Sequence, residues 1–295
     1  MTRIALITAA AARDLDDDLP PLIAALQDAG IDASAVDWYD GAVDWSRFDL
    51  ALLRSTWDYT ERPAEFLAWI DRAAKSTRIA NPPAVVRWNS DKHYLADLEH
   101  AGIPIVSSTF VEPAEDPRTA LSRFVERFGR EFVVKPAVGA GSRDAMRHAC
   151  DEVDAAVEHA RRLLDANRSV LLQPYLDRVD VSGETALIFF DGVFSHAIRK
   201  GPLLRRGEGP TRALFATEHI TPREPDAAEI DVATRTLAAI PFAKPLLYAR
   251  VDLIRDDAGA PVVLELELTE PSLFFTHASG SAQRFAQAII SRANA

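Results

Sequence analysis

Hydrophobic and polar positions along this chain switch repeatedly between a period of two and a period near 3.6. Residues 3 to 9 form an apolar run that reads as a buried strand. An acidic, proline-ended entry from Asp14 to Pro21 leads into a helix with apolar positions Leu22, Ile23 and Leu26 and a stop at Gly30. Ile31 to Val36 and Phe48 to Leu53 predict two more strands, and a helix runs from Pro63 through Phe66, Leu67 and Ile70. Strand, helix, strand, strand, helix is the order of a small α/β lobe with a parallel sheet.

Asn81-Pro82-Pro83 breaks the pattern, and a new helix from Ser90 carries Asp91-Lys92, Tyr94, Leu95 and Leu98 up to Gly102. The residues from Ile103 to Phe110 extend into a strand, Pro117 to Phe128 is helical, Phe132 to Pro136 is a strand, and Met146 leads into another. Glu152 to Leu164 is helical, and Ser169 to Gln173 is a strand ended by Pro174. Asp177 to Ser182 is polar and without strong secondary structure. Glu184 to Phe190 and Val193 to Ile198 flank Asp191-Gly192, a strong hairpin signal. Arg199-Lys200-Gly201-Pro202 and Arg205-Arg206-Gly207-Glu208-Gly209-Pro210 predict a mobile basic loop. A helix from Asp226 to Ile240, an acidic hairpin and a helix from Ser279 to Arg292 complete the chain. The division expected is an α/β domain over 1–88, a mixed α+β lobe over 89–174 and a C-terminal lobe over 175–295.

At 295 residues the chain exceeds one ordinary core, which agrees with several lobes. Its 48% hydrophobic and 26% charged content is that of a soluble globular protein, and no apolar run reaches the roughly 18 residues of a membrane span. The Met1–Ile7 segment is too short for a signal peptide and resembles a first strand, so a cytoplasmic location is expected. The single Cys150 cannot form an internal disulfide and reads as a buried packing residue. A net charge of −11 argues against nucleic acid or an anionic membrane as a partner.

The candidate chemistry centres on Tyr248–Ile254 and Val262–Leu268, two strands joined by Asp256-Asp257-Ala258-Gly259. Residues i and i+2 of a strand share a face, so Asp252, Glu265 and Glu267 converge, with Arg250 beside Asp252. An all-oxygen cluster of this kind suits Mg²⁺, although a hairpin of acids on a solvated sheet face would show the same pattern. Lys135 followed by Gly139-Ala140-Gly141-Ser142 places a cation beside backbone N–H groups that can wrap phosphate oxygens, unless the glycines only shape a turn. Arg54-Ser55-Thr56-Trp57-Asp58-Tyr59 follows a parallel strand, where open sheets bind ligands; the alternative is an ordinary loop with Trp57 and Tyr59 tucked into the core. His196 and His277 are lone histidines and read as structural.

The order Lys92, Val133-Val134-Lys135-Pro136 with its glycine turn, Leu171-Leu172-Gln173-Pro174-Tyr175-Leu176, Gly183-Glu184, Arg250-Val251-Asp252 and Glu265-Leu266-Glu267 resembles the ATP-grasp superfamily over about residues 85 to 275. That resemblance implies two lobes clamping ATP, with Lys92 and Lys135 on the phosphates, Gly139 to Ser142 as a lid, Gln173, Pro174, Tyr175 and Leu176 as the adenine hinge, and Glu184 on the ribose. Asp252, Glu265 and Glu267 would hold two Mg²⁺ ions, with Glu267 at a position where the superfamily usually has Asn. Arg250 would stabilise charge on the transferring phosphoryl or acyl-phosphate oxygens; Arg199 and Lys200 end a strand where the clamp would present substrate, with Lys200 reaching the γ-phosphate or a substrate carboxylate, the alternative being a basic loop on the surface.

Leu53–Tyr59, His196–Pro202 and Glu265–Leu273 are most similar to the D-cycloserine synthetase group. The function implied is ATP-dependent cyclisation of O-ureido-D-serine, a small amino-acid-like substrate, with Arg54, Ser55, Thr56, Asp58 and Tyr59 on the substrate side. An intermolecular carboxylate-amine ligase and a catalytically silent nucleotide-binding regulator are the competing readings. Many relatives of this kind form homodimers, but no helix here carries an unmistakable interface stripe.

Overall fold

A computed structural model describes residues 2–204, 219–243 and 245–295. Arg205 to Pro210 of the expected basic loop lie outside the described residues.

The N-terminal sheet is parallel throughout, in the order β2-β1-β3-β4, with β1 (Arg3–Thr8), β2 (Asp32–Asp37), β3 (Leu50–Ser55) and the two-residue β4 (Ile79–Ala80). Its crossovers carry α1 (Leu19–Asp28) and α2 (Pro63–Ala73). Both helices have Pro in the first turn, where a missing N–H removes no helical bond, and Gly30 follows α1 at φ +79°. One face packs Trp38, Trp57, Tyr59, Phe66 and Trp69 against the sheet. The other packs Leu22 and Leu26 against the C-terminal helix.

Two short helices, α3 (Pro83–Asn89) and α4 (Tyr94–His100), lead to the middle sheet. The first is an addition to the sequence reading, and the second starts later than expected, leaving Lys92 in the turn before it. The middle sheet is antiparallel, order β5-β8-β6-β7, from β5 (Thr109–Val111), β6 (Phe132–Pro136), β7 (Met146–His148) and β8 (Val170–Pro174). The helices α5 (Pro117–Phe128) and α6 (Val153–Asp165) cover one face through Leu121, Phe124, Val157 and Leu163. Asp116 caps α5 by accepting from the Arg118 and Thr119 N–H groups, and Gly129 ends it at φ +57°.

Asp177 to Ser182, expected to be irregular, contains the short helix α7 (Arg178–Ser182). The third sheet follows: β9 (Glu184–Phe190), β10 (Val193–Lys200), β11 (Ile220–Arg223), β12 (Tyr248–Arg255) and β13 (Pro261–Glu267), antiparallel in the order β11-β10-β9-β12-β13. Asp191 and Gly192 take φ +49° and +79°, the left-handed pair of a two-residue hairpin. At Gly183 an added Cβ would lie 2.4 Å from the Lys200 carbonyl, so only glycine lets β9 start with Glu184 against Lys200. On the outer side α8 (Ala227–Ala239) is held by a capping box between Asp226 and Glu229. The closing α9 (Ser281–Asn294) buries Phe285 and Ile289 between the first and third sheets, against Leu26, Phe190 and Tyr248. Among the described residues no helix is long and apolar enough to cross a membrane.

Candidate active site

The three sheets meet at a cleft of about 630 Å³. Its acidic floor is set by register. Arg250 stands opposite Glu267, and Asp252 opposite Glu265, so all four point to one face of the β12–β13 ladder. The next pairing skips to Leu253 with Val263, which leaves Leu264 as a bulge and turns β13 at the cleft.

Each acid of this floor meets a cation. Arg250 grips Asp252 with two bonds, Nε to Oδ1 at 2.8 Å and Nη2 to Oδ2 at 2.9 Å, also pairs with Glu267, and donates to the Ser272 carbonyl at 3.1 Å. Lys200 Nζ lies 2.7 Å from Asp252 and 2.8 Å from Glu184. Lys92 Nζ bonds Glu265 at 2.9 Å and the Gly139 carbonyl at 2.9 Å, and its own N–H reaches the Ala137 carbonyl. Lys92 thus ties the glycine turn to the acidic strand.

Burial alone would raise Asp252, but Arg250 and Lys200 outweigh it and hold the carboxyl below the usual range. Glu265 is also held low, because Lys92 and Lys135 outweigh its burial. Glu267 moves the other way: burial raises it, and the neighbouring Glu265 and Asp252 add to the rise that Arg250 only partly offsets. Glu267 is therefore the carboxyl of the floor whose charge is least well compensated.

Lys135 projects from the centre of β6 and has no hydrogen bond or close ion pair among the described residues. Burial pulls its ammonium down to about 8, with Lys92 and Lys200 adding to the shift against the pull of Glu265 and Glu184. Beside it the turn Gly139–Ser142 lines the cleft, with Gly141 and Ser142 at φ +62° and +60°. Arg168 braces this turn from behind, through Asp144 Oδ2 at 2.7 Å and the Val138 carbonyl at 3.4 Å. Arg143, the residue after the turn, pairs with Glu61 of the N-terminal lobe.

The remaining wall is apolar around the β8–α7 connection. Pro174, Tyr175 and Leu176 line it together with Val133, Ile254 and Leu264, and Gln173 is fixed by the Ser108 hydroxyl at 3.0 Å. Arg147 stacks on the Tyr175 ring, its guanidinium carbon 3.4 Å from the ring centroid.

Several residues expected at the site lie outside the cleft. Asp252 is fully buried behind Arg250 and Lys200. Arg199, one residue from Lys200, points to the opposite face and donates to the Ser182 and Val181 carbonyls, as strand alternation requires. Arg54 is buried and donates to the Pro271 carbonyl at 2.9 Å. Ser55 bonds Thr8, Thr56 is fully buried, and Asp58 accepts from Trp38 Nε1 and Arg62. From that loop only Trp57 and Tyr59 reach the cleft. Cys150, expected to be buried, is exposed.

Asp16, Asp17, Asp18, Phe274 and Thr276 also line the cleft and escaped sequence reasoning, while Glu270 and Ser272, within the segment that carries the family resemblance, are given no role by it. The acidic run at Asp14–Asp18 was legible only as a helix entry. His277, read as structural, lies on the same wall. His196 is buried and contacts the Leu273 carbonyl at 2.8 Å.

The donor set suits a polyphosphate with magnesium. An unpartnered ammonium beside a backbone turn fits phosphate oxygens, and a floor of carboxylates gathered on one strand face fits a hard cation. Among the described residues no three Asp, Glu, His or Cys side chains form a cage that could hold a metal alone, so ligand oxygens would have to complete its shell.

Comparison with known proteins identifies relatives of the whole chain. The family described as D-cycloserine synthetase DcsG, N-terminal domain, matches residues 4–81. The cycloserine biosynthesis protein DcsG of Streptomyces lavendulae is 43% identical, with 98% of each chain covered. The crystal structure of D-cycloserine synthetase DcsG superposes with a TM-score of 0.92 at 43% identity and 99% coverage of both chains. A D-alanine–D-alanine ligase from Bacillus anthracis shares the fold at 16% identity, with a TM-score of 0.71 and coverage of 100% of this chain and 98% of that one. The chain therefore belongs to the D-cycloserine synthetase family, and its fold is that of the ATP-grasp ligases.

Proposed function

We propose that the protein activates the carboxylate of O-ureido-D-serine with ATP and closes the molecule on itself to give D-cycloserine. The observation that carries the reading is Lys135, an ammonium without a partner among the described residues, facing the Glu265–Glu267 floor beside a glycine turn. The choice of substrate is supported by the full-length likeness to the Streptomyces lavendulae cycloserine biosynthesis protein.

In this reading Lys92, Lys135 and the N–H groups of Gly139 to Ser142 bind the phosphates, while Gln173, Pro174, Tyr175 and Leu176 bound an apolar slot for adenine and Glu184 accepts from the ribose. Glu265 and Glu267 would hold two Mg²⁺ ions, with Asp252 opposite Glu265 on the same ladder. When bound, Mg²⁺ neutralises phosphate charge as a Lewis acid. Arg250 and Lys200 line the same space and orient the substrate carboxylate toward the phosphates, and the enclosing walls limit competing attack by water.

The carboxylate oxygen takes the γ-phosphoryl group, and the alkoxyamine nitrogen of the same molecule then attacks the acyl carbon. A C–N bond forms and phosphate leaves. Addition of one water to the carbamoyl group releases CO₂ and NH₃, so one ATP and one water yield D-cycloserine, ADP and phosphate. The test is a mass-resolved product assay with ATP, Mg²⁺ and O-ureido-D-serine, in which one cycloserine per ADP is expected. Phosphate release without cycloserine would sink the cyclo-ligase reading, and a new amide formed only with an added amine would establish an intermolecular ligase.

A further inference from the structure

The part of the cleft formed by the N-terminal lobe and the Thr269–His277 segment holds an acid that the nucleotide chemistry does not use. Glu184, Asp252, Glu265 and Glu267 all have cationic partners. Glu270 has no close ion pair among the described residues, although it is only 8% exposed and lines the cleft. Its side-chain partner is the Tyr59 hydroxyl, on a residue 3% exposed. A carboxylate has about four acceptor positions, so one neutral donor leaves most of a buried one unsatisfied.

The carboxyl is also held in place. Trp57 Nε1 donates to the Glu270 carbonyl at 3.2 Å, and Arg54 Nη2 to the Pro271 carbonyl at 2.9 Å. Asp16 adds to the negative potential of this end of the cleft: it is 4% exposed, lines the cleft, and its Oδ2 is buried without a hydrogen-bond partner. Two acids from different lobes thus face a space with acceptor capacity left over.

We propose that Glu270, oriented by Tyr59, is the specificity-determining acceptor for the protonated α-amino group of the substrate, an assignment that rests on the ligase reading above. An ammonium supplies a charge and three donors, which is what a buried carboxylate with one hydroxyl partner lacks. The Tyr59 oxygen keeps lone pairs for the same ammonium while its proton goes to Glu270. Spacing also fits. Arg250, which orients the carboxylate, is bonded to the Ser272 carbonyl two residues beyond Glu270, so one short segment positions both ends of an α-amino acid. A ligand without the amine would leave Glu270 unpaired, and sites built around a polar group discriminate strongly against analogues that lack it.

The test compares O-ureido-D-serine with 3-(ureidooxy)propanoate, which lacks only the amine, in ADP release by the wild type, E270Q, E270D and Y59F. The wild type is expected to prefer the amine by at least ~100-fold in kcat/KM, and E270Q by less than ~10-fold, with the KM for ATP within about twofold. E270D should restore most of the preference. Y59F, which keeps the carboxyl and guards against a folding defect in E270Q, should lower it by roughly three- to tenfold. An unchanged preference in E270Q, or a KM for ATP that rises as much as that for the substrate, overturns the assignment. If the wild type releases ADP with neither compound, the cyclo-ligase reading fails instead. The amine preference is then measured by calorimetric titration of D-serine and 3-hydroxypropanoate into the MgADP complex. A preference absent from the wild type, or retained by E270Q, overturns the subsite.

Discussion

Replacing Asp252 by Asn removes one negative charge from a fully buried position while leaving side-chain shape nearly unchanged. The carboxylate accepts from Arg250 Nε and Nη2 at 2.8 and 2.9 Å and from Lys200 Nζ at 2.7 Å. An amide keeps one acceptor oxygen and turns an NH₂ group toward one of the two cations. Breaking a buried ion pair from one side costs ~3–5 kcal/mol, because the remaining charge stays desolvated. Here Lys200 retains Glu184 and Arg250 retains Glu267, which places the loss near the lower end, about 3 kcal/mol.

Against a total stability of about 5–15 kcal/mol the variant stays folded at 25 °C, and Tm falls by roughly 6–10 °C. Because the folded carboxyl sits below its ordinary value of 3.8, its stabilisation is present above that value and is lost as pH falls through the depressed one. The Tm gap between wild type and variant should therefore be full at pH 7 and narrow only below about 4. Turnover should fall at least ~100-fold, since Arg250 loses the anchor that aims it into the cleft. Circular dichroism melts from pH 3 to 8 and a coupled ADP assay measure both quantities. Turnover within about tenfold of wild type, or a pH-independent gap, would refute the view that Asp252 holds Arg250 and Lys200 in working position.

Three further outcomes follow from the same geometry. Lys135 loses its charge above about 8, so the KM for ATP should be flat below that pH and rise up to about tenfold per unit above it; K135Q should have a high KM with no such rise. Arg168→Ala, which removes the brace behind the glycine turn, should raise the KM for ATP roughly five- to tenfold and leave kcat within about twofold, as read from initial rates at saturating substrate. Chelation by EDTA should abolish ADP release yet move Tm by less than about 1 °C, because Glu265 and Glu267 keep Lys92 and Arg250 as partners; a drop of several degrees would reveal a metal that builds the fold.

The elements were legible where they depend on local pattern. Pro117–Phe128, Phe132–Pro136 and Glu184–Phe190 have the expected bounds, and Asp191-Gly192 makes the expected turn. Alternation also put Arg250, Asp252, Glu265 and Glu267 on one face. The same rule separates Arg199 from Lys200, since neighbouring strand residues face opposite ways, so the basic pair does not act as a unit. The contacts that escaped prediction join residues far apart in sequence. Asp18 accepts from the N–H groups of Leu273, Phe274 and Phe275, and Arg54 reaches Pro271 across 217 positions. Periodicity carries no information about such pairings, so the role of the Arg54–Tyr59 loop could be placed near the site but not resolved into residues that touch the cleft and residues that brace it.

Those distant contacts explain how one segment serves both halves of the site. Asn81 and Asn89 bond the backbone of Leu268, Trp57 and Arg54 hold the carbonyls of Glu270 and Pro271, and Asp18 fixes the N–H groups from Leu273 to Phe275. Between these anchors the Ser272 carbonyl accepts from Arg250, and Arg250 in turn holds Asp252 and Glu267. The N-terminal lobe therefore helps set the Arg250 guanidinium over the acidic floor without bonding to it directly. Phe274, at φ +54°, turns the segment so that its own ring lies 5.5 Å from the Arg250 guanidinium. A ligand seated against Glu270 would bear on a strand of backbone tied at one end to the N-terminal sheet and at its middle to the acidic floor. On the proposed assignment of Glu270, coupling between amine recognition and the placement of Arg250 follows from backbone connectivity over a few residues.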